Sequence, residues 1–387
     1  MKLRADTLLI KLQFLLLSGI VMTQALGKPS LSSLLFTLTF AVTVCLWLVS
    51  AEKRIGTADA LAILIVALSC LHVSVNTLTS GTLVSFAYCK KLIMFWSTVL
   101  FFAATSRYKP ERSAAEFVFR WNTTLGVFLI GMYLAQRHQM YLLNHRVSRY
   151  LTFRFTNPNL TAAFLLAVCM IEMIRVLTVR KRVLQVVHAV LAAWMAYFIF
   201  ETGARNAQLL LALFLAVLVS PQKKMPMTAP MAALIAVFPL LFAAAYLLLV
   251  NAPGVQKVFA FLTGEGKNLD SRVGIWSYAL EQFISSPLLG AYSQIVTSKT
   301  HTQLHNTHLD VMASYGLPVL ILLCAFLYRV LREENPDIRN RKRKLCRMGF
   351  SVLLLTGMGE AMLFSGGLGV YIFAGILRML ANYDFAG

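Results

Sequence analysis

The sequence predicts an all-α integral membrane protein that crosses the bilayer about twelve times. Of its 387 residues, 58% are hydrophobic and only 13% are charged, whereas charged residues supply about a quarter of a typical soluble chain. The apolar residues fall in runs of roughly 17 to 25, the length at which a helix spans a hydrocarbon core of about 30 Å. The short alternating segments typical of a membrane β-barrel are not visible. The pattern therefore favours one domain of transmembrane helices over residues 1–387.

The predicted spans follow one another along the chain with short polar connections. They are Leu8–Leu26, Leu31–Ser50, Ala58–Val75, Val84–Thr105, Phe117–Ala135, Leu160–Val179, Val183–Phe200, Asn206–Ser220, Met231–Val250, Val311–Arg329, Arg347–Phe364 and Gly369–Ala381. No small-residue cleavage site separates the first span from the second, so we expect the first span to be retained.

The basic residues predict how these spans are oriented, because cytoplasmic loops of membrane proteins accumulate Lys and Arg. Every second connection is basic. The residues concerned are Lys2 and Arg4 before the first span, Lys53 and Arg54 after the second, Arg107, Lys109 and Arg112 after the fourth, Arg180, Lys181 and Arg182 after the sixth, Lys223 and Lys224 after the eighth, and Arg329–Arg347 after the tenth. This alternation predicts that both termini are cytoplasmic.

The net charge of +20, from 36 basic and 16 acidic residues, would suggest a nucleic-acid partner in a soluble protein. Here the basic inner loops explain much of it, so we expect membrane lipids and no nucleic acid as partners. The cysteines lie in apolar spans or an inner loop without paired spacing, which indicates buried thiols. They are Cys45, Cys70, Cys89, Cys169, Cys324 and Cys346.

Two outer connections are long and basic, contrary to the charge bias. Gln136–Asn159 contains Arg146, Arg149 and Arg154 and no acidic residue. Asn251–His305 is longer, and the helical spacing of its apolar residues predicts a helix over Arg272–Ser286, ended by Pro287. An anionic ligand would explain basic loops on the outer side, and the three arginines are therefore candidate substrate contacts.

Two further arginines are candidates for binding a phosphate with a planar donor fork. Arg205 lies in a tight turn between two spans, and Arg272 lies near the start of the predicted loop helix. A helix N-terminus favours an anion. Each arginine has a structural alternative: Arg205 could extend to the interface or pair with Glu201, and Arg272 could pair with Asp270.

His305 stands at the start of the tenth span, where Asn306 or Thr307 could cap the helix. The positive end of a helix disfavours the imidazolium, so the ring would stay neutral and could act as a general base. The alternative is a hydrogen-bonded structural histidine. His301 is a candidate substrate contact, with a structural role as its alternative.

Lys90 and Lys91 interrupt the fourth span, and charge within a span is costly and often functional. These lysines could extend to the interface, pair with a buried acid such as Glu172 or Glu360, or line the substrate cavity. The sequence leaves the three possibilities open.

Several classes of site are not indicated by the sequence. There is no G-x-x-x-x-G-K-[ST] motif. No Asp-x-Asp pair occurs, and the outer histidines are spaced unevenly for zinc. We therefore expect no metal and no cofactor. Several arginines, one histidine and a long loop suit a lipid diphosphate, with His305 taking a proton from an attacking hydroxyl.

These residues resemble the bacterial O-antigen ligase and polymerase superfamily. The resemblance covers most of the chain after residue 115. The matching patches are Thr202-Gly203-Ala204-Arg205; Ser271-Arg272 to Trp276 with Ser286-Pro287-Leu288-Leu289-Gly290; Leu304-His305-Asn306 to Leu309 with Tyr315-Gly316-Leu317; and, more weakly, Asn157-Pro158-Asn159. It implies a metal-independent, inverting glycosyltransferase of the multi-span (GT-C-like) type. Arg205 and Arg272 match the family's essential arginines, and His305 matches its essential histidine, a proposed base.

The resemblance implies a donor glycan on undecaprenyl diphosphate and a site on the periplasmic face of the bacterial inner membrane. The single dominant outer loop, approximately residues 251–305, and the short C-terminal tail resemble ligases, which use lipid A–core oligosaccharide as acceptor. A polymerase, which extends the undecaprenyl-linked glycan, is the first alternative. A lipid-linked glycan transporter or a non-catalytic assembly partner is a further one.

Overall fold

The computed structural model describes residues 4–51, 55–80, 86–143, 149–155, 157–220, 227–249, 252, 269–298, 304–332, 340–360 and 368–385. Helices make up most of these residues. They are α1 (Ala5–Ala25), α2 (Pro29–Ala51), α3 (Thr57–Ser80), α4 (Phe86–Arg107), α5 (Arg112–Gln136), α6 (Pro158–Thr178), α7 (Arg182–Glu201), α8 (Arg205–Val219), α9 (Ala229–Leu249), α10 (Leu269–Ser285), α11 (Tyr292–Thr297), α12 (Thr307–Arg332), α13 (Arg341–Leu355) and α14 (Leu368–Leu380).

The all-α polytopic class is confirmed. Among the described residues, eight helices are long and apolar enough to cross a membrane, and two shorter apolar helices are Arg205–Val219 and Gly369–Leu380. Each predicted span contains a helix, although the number of membrane crossings and the side of the termini stay predictions. The predicted loop helix is also present, as α10, and its bounds differ from the prediction by a few residues.

One predicted span ends too late. Helix α13 ends at Leu355 and continues only as a 3₁₀ turn over Thr356–Met358. Gly357 interrupts the apolar run at a close approach to a neighbouring helix: a Cβ there would lie 2.7 Å from the Thr307 hydroxyl. Because the helix stops early, Gly359 and Glu360 lie in a turn at the end of the bundle.

Helix α12 contains a kink that divides it at Gly316. This residue has φ +81°, a left-handed conformation that suits glycine, and Pro318 follows it. The turn that follows α10 packs directly on the kink. Leu317 N donates to Pro287 O at 2.8 Å, and Ala291 N donates to Ala313 O at 2.8 Å. Two of the patches that carry the family resemblance are therefore joined by a backbone hydrogen bond, with a second bond directly beside them.

A short hairpin covers the end of α5 and α7. Its strands β1 (Tyr141–Leu143) and β2 (Arg149–Leu151) pair antiparallel, with Tyr141 opposite Leu151. A 3₁₀ turn over Arg137–Gln139 connects α5 to β1.

Candidate functional site

The N-terminal ends of α6, α8 and α10 and the turn after α13 meet around a cavity of about 270 Å³. The residues that line it come from these elements and from α9. They are Asn159, Ala163, Ala204, Arg205, Asn206, Ala207, Leu209, Phe238, Phe242, Arg272, Thr356, Met358, Gly359 and Glu360. One part of the wall is polar and carries two arginines, whereas the other part is apolar.

Both predicted arginines line this cavity. Arg205 is the first residue of α8 and follows Gly203, which has φ +67°. Arg272 lies in the first turn of α10, is buried, and donates from Nη1 to Gly359 O at 2.9 Å. Both guanidinium groups stand at helix N-termini, whose free N–H groups also favour an anion.

Glu360 connects the cavity to His305. Its Oε1 accepts from Asn159 Nδ2 at 2.7 Å, and its Oε2 accepts from Asn157 Nδ2 at 3.2 Å. His305 Nδ1 lies 3.0 Å from the same Oε2. Because an ionised carboxylate only accepts hydrogen bonds, Nδ1 carries the proton and donates, and Nε2 is the ring nitrogen that can take up a proton.

The residue after the histidine holds this segment in place. Asn306 Oδ1 accepts from the backbone N–H groups of His308 and Leu309, both at 3.0 Å, so the predicted N-cap is present. Its Nδ2 donates to Pro239 O at 2.8 Å and to Met358 O at 3.2 Å. The Asn306 side chain thus fixes the start of α12 to α9 and to the turn that carries Glu360.

The backbone of His305 is unusual. Its φ is +48°, which is uncommon for a residue with a Cβ and is found often at functional sites. Leu304 before it is fixed by Trp276, whose indole N–H donates to Leu304 O at 2.9 Å. The side chain of His305 remains 29% exposed, so a ligand can reach its ring.

Three other candidates lie elsewhere. Lys91 forms a buried ion pair with Asp310 at 2.5 Å; pairing with a buried acid was one of the three possibilities left open, and the acid is neither Glu172 nor Glu360. Lys90 Nζ lies 5.8 Å from the centre of the Phe36 ring. Arg154 donates to Gln136 Oε1 at 3.0 Å and to Gln139.

These contacts do not bring Lys90, Lys91 or Arg154 to the described cavity wall. The sequence alone does not indicate Asp310 as the partner, because only tertiary packing brings the first turn of α12 against α4. Glu172 instead contacts His188 at 2.7 Å.

Some predicted residues cannot be placed. Arg146 and His301 lie outside the described residues, and so does the side chain of Arg149, although its backbone belongs to β2. The same holds for the side chain of Asp270, the alternative partner of Arg272.

The sequence does not predict a role in the site for two of its residues. It indicates Glu360 only as a possible partner of a lysine and Asn159 only as part of a weak motif. An acidic residue at the end of an apolar run, after a glycine-containing turn, was the signal that could have identified Glu360.

This geometry defines a polytopic membrane protein with a cationic and partly apolar cavity at one end of its helix bundle. Residues 190–324 match the family model described as O-antigen ligase. The matched segment contains Arg205, Arg272 and His305, and it supports the resemblance to the O-antigen ligase and polymerase superfamily. A search of curated proteins gives no match.

Proposed function

We propose that the chain is an O-antigen ligase. It transfers O-antigen polysaccharide from undecaprenyl diphosphate to lipid A–core oligosaccharide at the periplasmic face of the bacterial inner membrane. The observation that carries this proposal is the approach of Arg205 and Arg272 to one cavity, with His305 held beside it by Glu360. The family match supports a glycosyltransferase-like enzyme of an O-antigen pathway.

The cavity has the two properties that a lipid diphosphate requires. Arg205 and Arg272 offer planar donor groups for the diphosphate. Leu209, Phe238 and Phe242 form an apolar wall, which suits the first isoprene units of the lipid. Leu209 is 38% exposed, so this wall is open rather than closed off by protein. Helices α8 and α9, which carry this wall, both pack against α13. The lipid tail could therefore remain in the bilayer while the diphosphate enters the cavity.

The proposed reaction is a direct displacement with inversion. An acceptor hydroxyl of the lipid A–core attacks the anomeric carbon of the donor, and the bond from that carbon to the diphosphate oxygen breaks. The hydroxyl proton passes to Nε2 of His305, a step that typically contributes about 10²–10⁴-fold in rate. The leaving undecaprenyl diphosphate keeps the electron pair, and Arg205 and Arg272 stabilise its charge.

A metal ion has no part in this proposal. The two guanidinium groups supply the positive charge next to the leaving group that a divalent cation supplies in many phosphate-handling enzymes. Glu360 keeps Nδ1 of His305 protonated and stabilises the imidazolium that forms. Arg154, Arg149, Arg146, Lys90, Lys91 and His301 remain candidate substrate contacts that this geometry does not require.

The test is a glycan analysis of cells in which His305→Ala replaces the normal protein. The matched control is His138→Ala, because His138 is an exposed histidine in the 3₁₀ turn after α5. Membrane levels of each variant are measured first. Loss of ladders on lipid A–core, with long polymer retained on the carrier lipid, is expected for His305→Ala and not for His138→Ala.

Other outcomes would change the assignment. Single repeats on both carriers would indicate a polymerase with His305 in its site. Normal ladders would remove His305 from the mechanism. Arg205→Lys and Arg272→Lys extend the test, since lysine keeps the charge and loses the planar fork, and we expect both variants to lose most of the transfer.

A further inference from the structure

A cluster of aromatic side chains lies beside the turn that leads to Arg205. The aromatic members are Tyr133 at the end of α5, Tyr141 on β1, and Trp194 and Tyr197 near the end of α7. Together with Glu201, the last residue of α7, they form the group that we call the tyrosine platform. The ring centres of Trp194 and Tyr197 are 5.8 Å apart, and those of Tyr133 and Tyr141 are 6.4 Å apart. Glu201 lies four positions before Arg205 along the chain.

The hydroxyl groups of the platform form a chain that ends at a carboxylate. Tyr133 Oη lies 3.3 Å from Tyr197 Oη and 3.3 Å from Tyr141 Oη, and Tyr141 donates to Glu201 Oε2 at 2.5 Å. Burial and the hydrogen bond to Glu201 raise the pKa of Tyr141, so its hydroxyl stays protonated at neutral pH. Tyr133 is 4% exposed and Tyr197 is 40% exposed, so the chain of hydroxyl groups runs from a buried tyrosine to an exposed one.

The platform combines one carboxylate with one guanidinium group, whereas the cavity wall carries two guanidinium groups and one carboxylate. The carboxyl-terminal ends of α5 and α7 meet there, and helix C-termini carry partial negative charge. Glu201 adds a carboxylate, while Arg137 lies over the Tyr133 ring at 5.4 Å. A phosphate is therefore less favoured on the platform than in the cavity. A neutral ligand with many hydroxyl groups is favoured, because it can bond the carboxylate and the phenols and can lay its C–H face on a ring.

The platform and the cavity are structurally connected. The turn from Thr202 to Ala204 separates them, and Ala204 already lines the cavity. The Tyr150 ring packs on this turn: a Cβ on Gly203 would lie 2.7 Å from it. Tyr150 belongs to β2, which pairs with the strand that carries Tyr141. One hairpin thus contacts both the turn before Arg205 and the platform.

We propose that the tyrosine platform binds sugar rings of the glycan whose diphosphate end occupies the cavity. This inference rests on the proposed function, since it takes the glycan donor from there. Tyr197 supplies a stacking surface and Glu201 accepts from sugar hydroxyls. A platform that only anchored the protein at the membrane interface would need aromatic rings but no chain of hydroxyl groups ending at a carboxylate.

The experiment compares two ligands that share the lipid diphosphate and differ in the glycan. Full-length protein in lipid nanodiscs is assayed for transfer from undecaprenyl-diphosphate-linked glycan, and sugar-free undecaprenyl diphosphate is used as inhibitor. For Tyr197→Ala and Glu201→Gln we expect the donor KM to rise about three- to tenfold, because each substitution removes one ring contact or one hydrogen bond to the glycan. The inhibition constant of the sugar-free lipid should not change. Tyr328→Ala, at the other end of the bundle on α12, is the matched aromatic control and should change neither.

A parallel rise in the donor KM and in the inhibition constant would overturn the proposal, because the substitutions would then act on the fold or the cavity. An unchanged donor KM would overturn it as well. A second measurement does not depend on transfer: glycan freed from its lipid by mild acid is titrated into the nanodiscs, and the change in tryptophan fluorescence that Trp194→Phe removes is followed. Saturable binding that Tyr197→Ala abolishes supports the platform even where His305→Ala leaves transfer intact and the proposed function fails. Absence of such binding in a protein that needs His305 for transfer overturns the platform alone.

Discussion

Nδ1 of His305 lies 3.0 Å from Oε2 of Glu360, a residue 55 positions later in the chain. The carboxylate is buried and also accepts from Asn157 and Asn159, so three side chains hold it in one orientation. A histidine that is oriented in this way always presents Nε2 to the hydroxyl group of the acceptor substrate. The pair also places a negative charge next to the imidazolium that forms when the ring takes a proton.

Glu360→Gln should lower the rate of transfer without a large effect on donor binding. Glutamine retains the shape of the side chain but has no charge to stabilise the imidazolium. We expect kcat to fall about 10- to 100-fold, less than the loss for His305→Ala, with a donor KM within about twofold of the original value. Steady-state transfer by purified protein in nanodiscs measures both constants.

The chain contains a matched control for this substitution. His188 Nδ1 contacts Glu172 Oε2 at 2.7 Å in a buried pair between α6 and α7, and neither residue lines the cavity. Glu172→Gln should leave kcat unchanged. Equal losses from the two substitutions would mean that Glu360 acts on folding alone.

The sequence predicted the side chains of the site better than it predicted their partners. Arg205, Arg272 and His305 each lie in a short polar segment next to an apolar run, where a local pattern is informative. Glu360 meets His305 only because α13 ends early, at Leu355, and the following turn packs against Asn306 and Thr307. Such a contact depends on tertiary packing, which periodicity and charge bias do not encode.

The same limit explains the lysines of α4. The sequence indicated that a charge inside a span needs a partner, but it left the choice of acid open. Asp310 is the partner of Lys91 because the Gly316 kink and the packing of the α10 turn set the position of α12. A substrate contact by Lys91 therefore remains a proposal to be separated from this structural role.

Lys91→Met should destabilise the protein by leaving the Asp310 carboxylate buried without its cation. Breaking one side of a buried pair typically costs about 3–5 kcal/mol. The double variant Lys91→Met/Asp310→Asn should recover most of the lost thermal stability, measured by unfolding in detergent, and also most of the transfer activity. If the double variant regains stability and stays inactive, Lys91 contacts substrate.

The pair of Arg107 and Asp59 is the control for that comparison. It joins α4 to α3 at a distance of 2.5 Å and does not line the cavity. Arg107→Met and Arg107→Met/Asp59→Asn should follow the stability changes of the Lys91 series. Their transfer activity per folded molecule should equal that of the unchanged protein.

Two glycines should be indispensable for the junction between the α10 turn and the α12 kink. Gly290 has φ +74°, and a Cβ there would lie 2.5 Å from the backbone of Ser314; Gly316 has φ +81°, and its Cβ would meet the Leu288 carbonyl. Alanine at either position has two costs. Its Cβ disfavours the left-handed backbone conformation, and it clashes with backbone atoms, which cannot rotate away as a side chain could. We expect each substitution to lower the free energy of unfolding by about 3 kcal/mol or more.

Gly274→Ala is the contrasting substitution, because Gly274 lies inside α10 and a Cβ there would have no atom within 4 Å. It should be neutral or stabilise the protein by about 0.5–1 kcal/mol, since alanine favours a helix over glycine. Thermal unfolding of the three variants in detergent gives the comparison. Gly316→Ala should also reduce transfer in the fraction that remains folded, because the kink sets the position of the first half of α12, which follows His305. A folded, fully active Gly316→Ala protein would show that the kink and the histidine are independent.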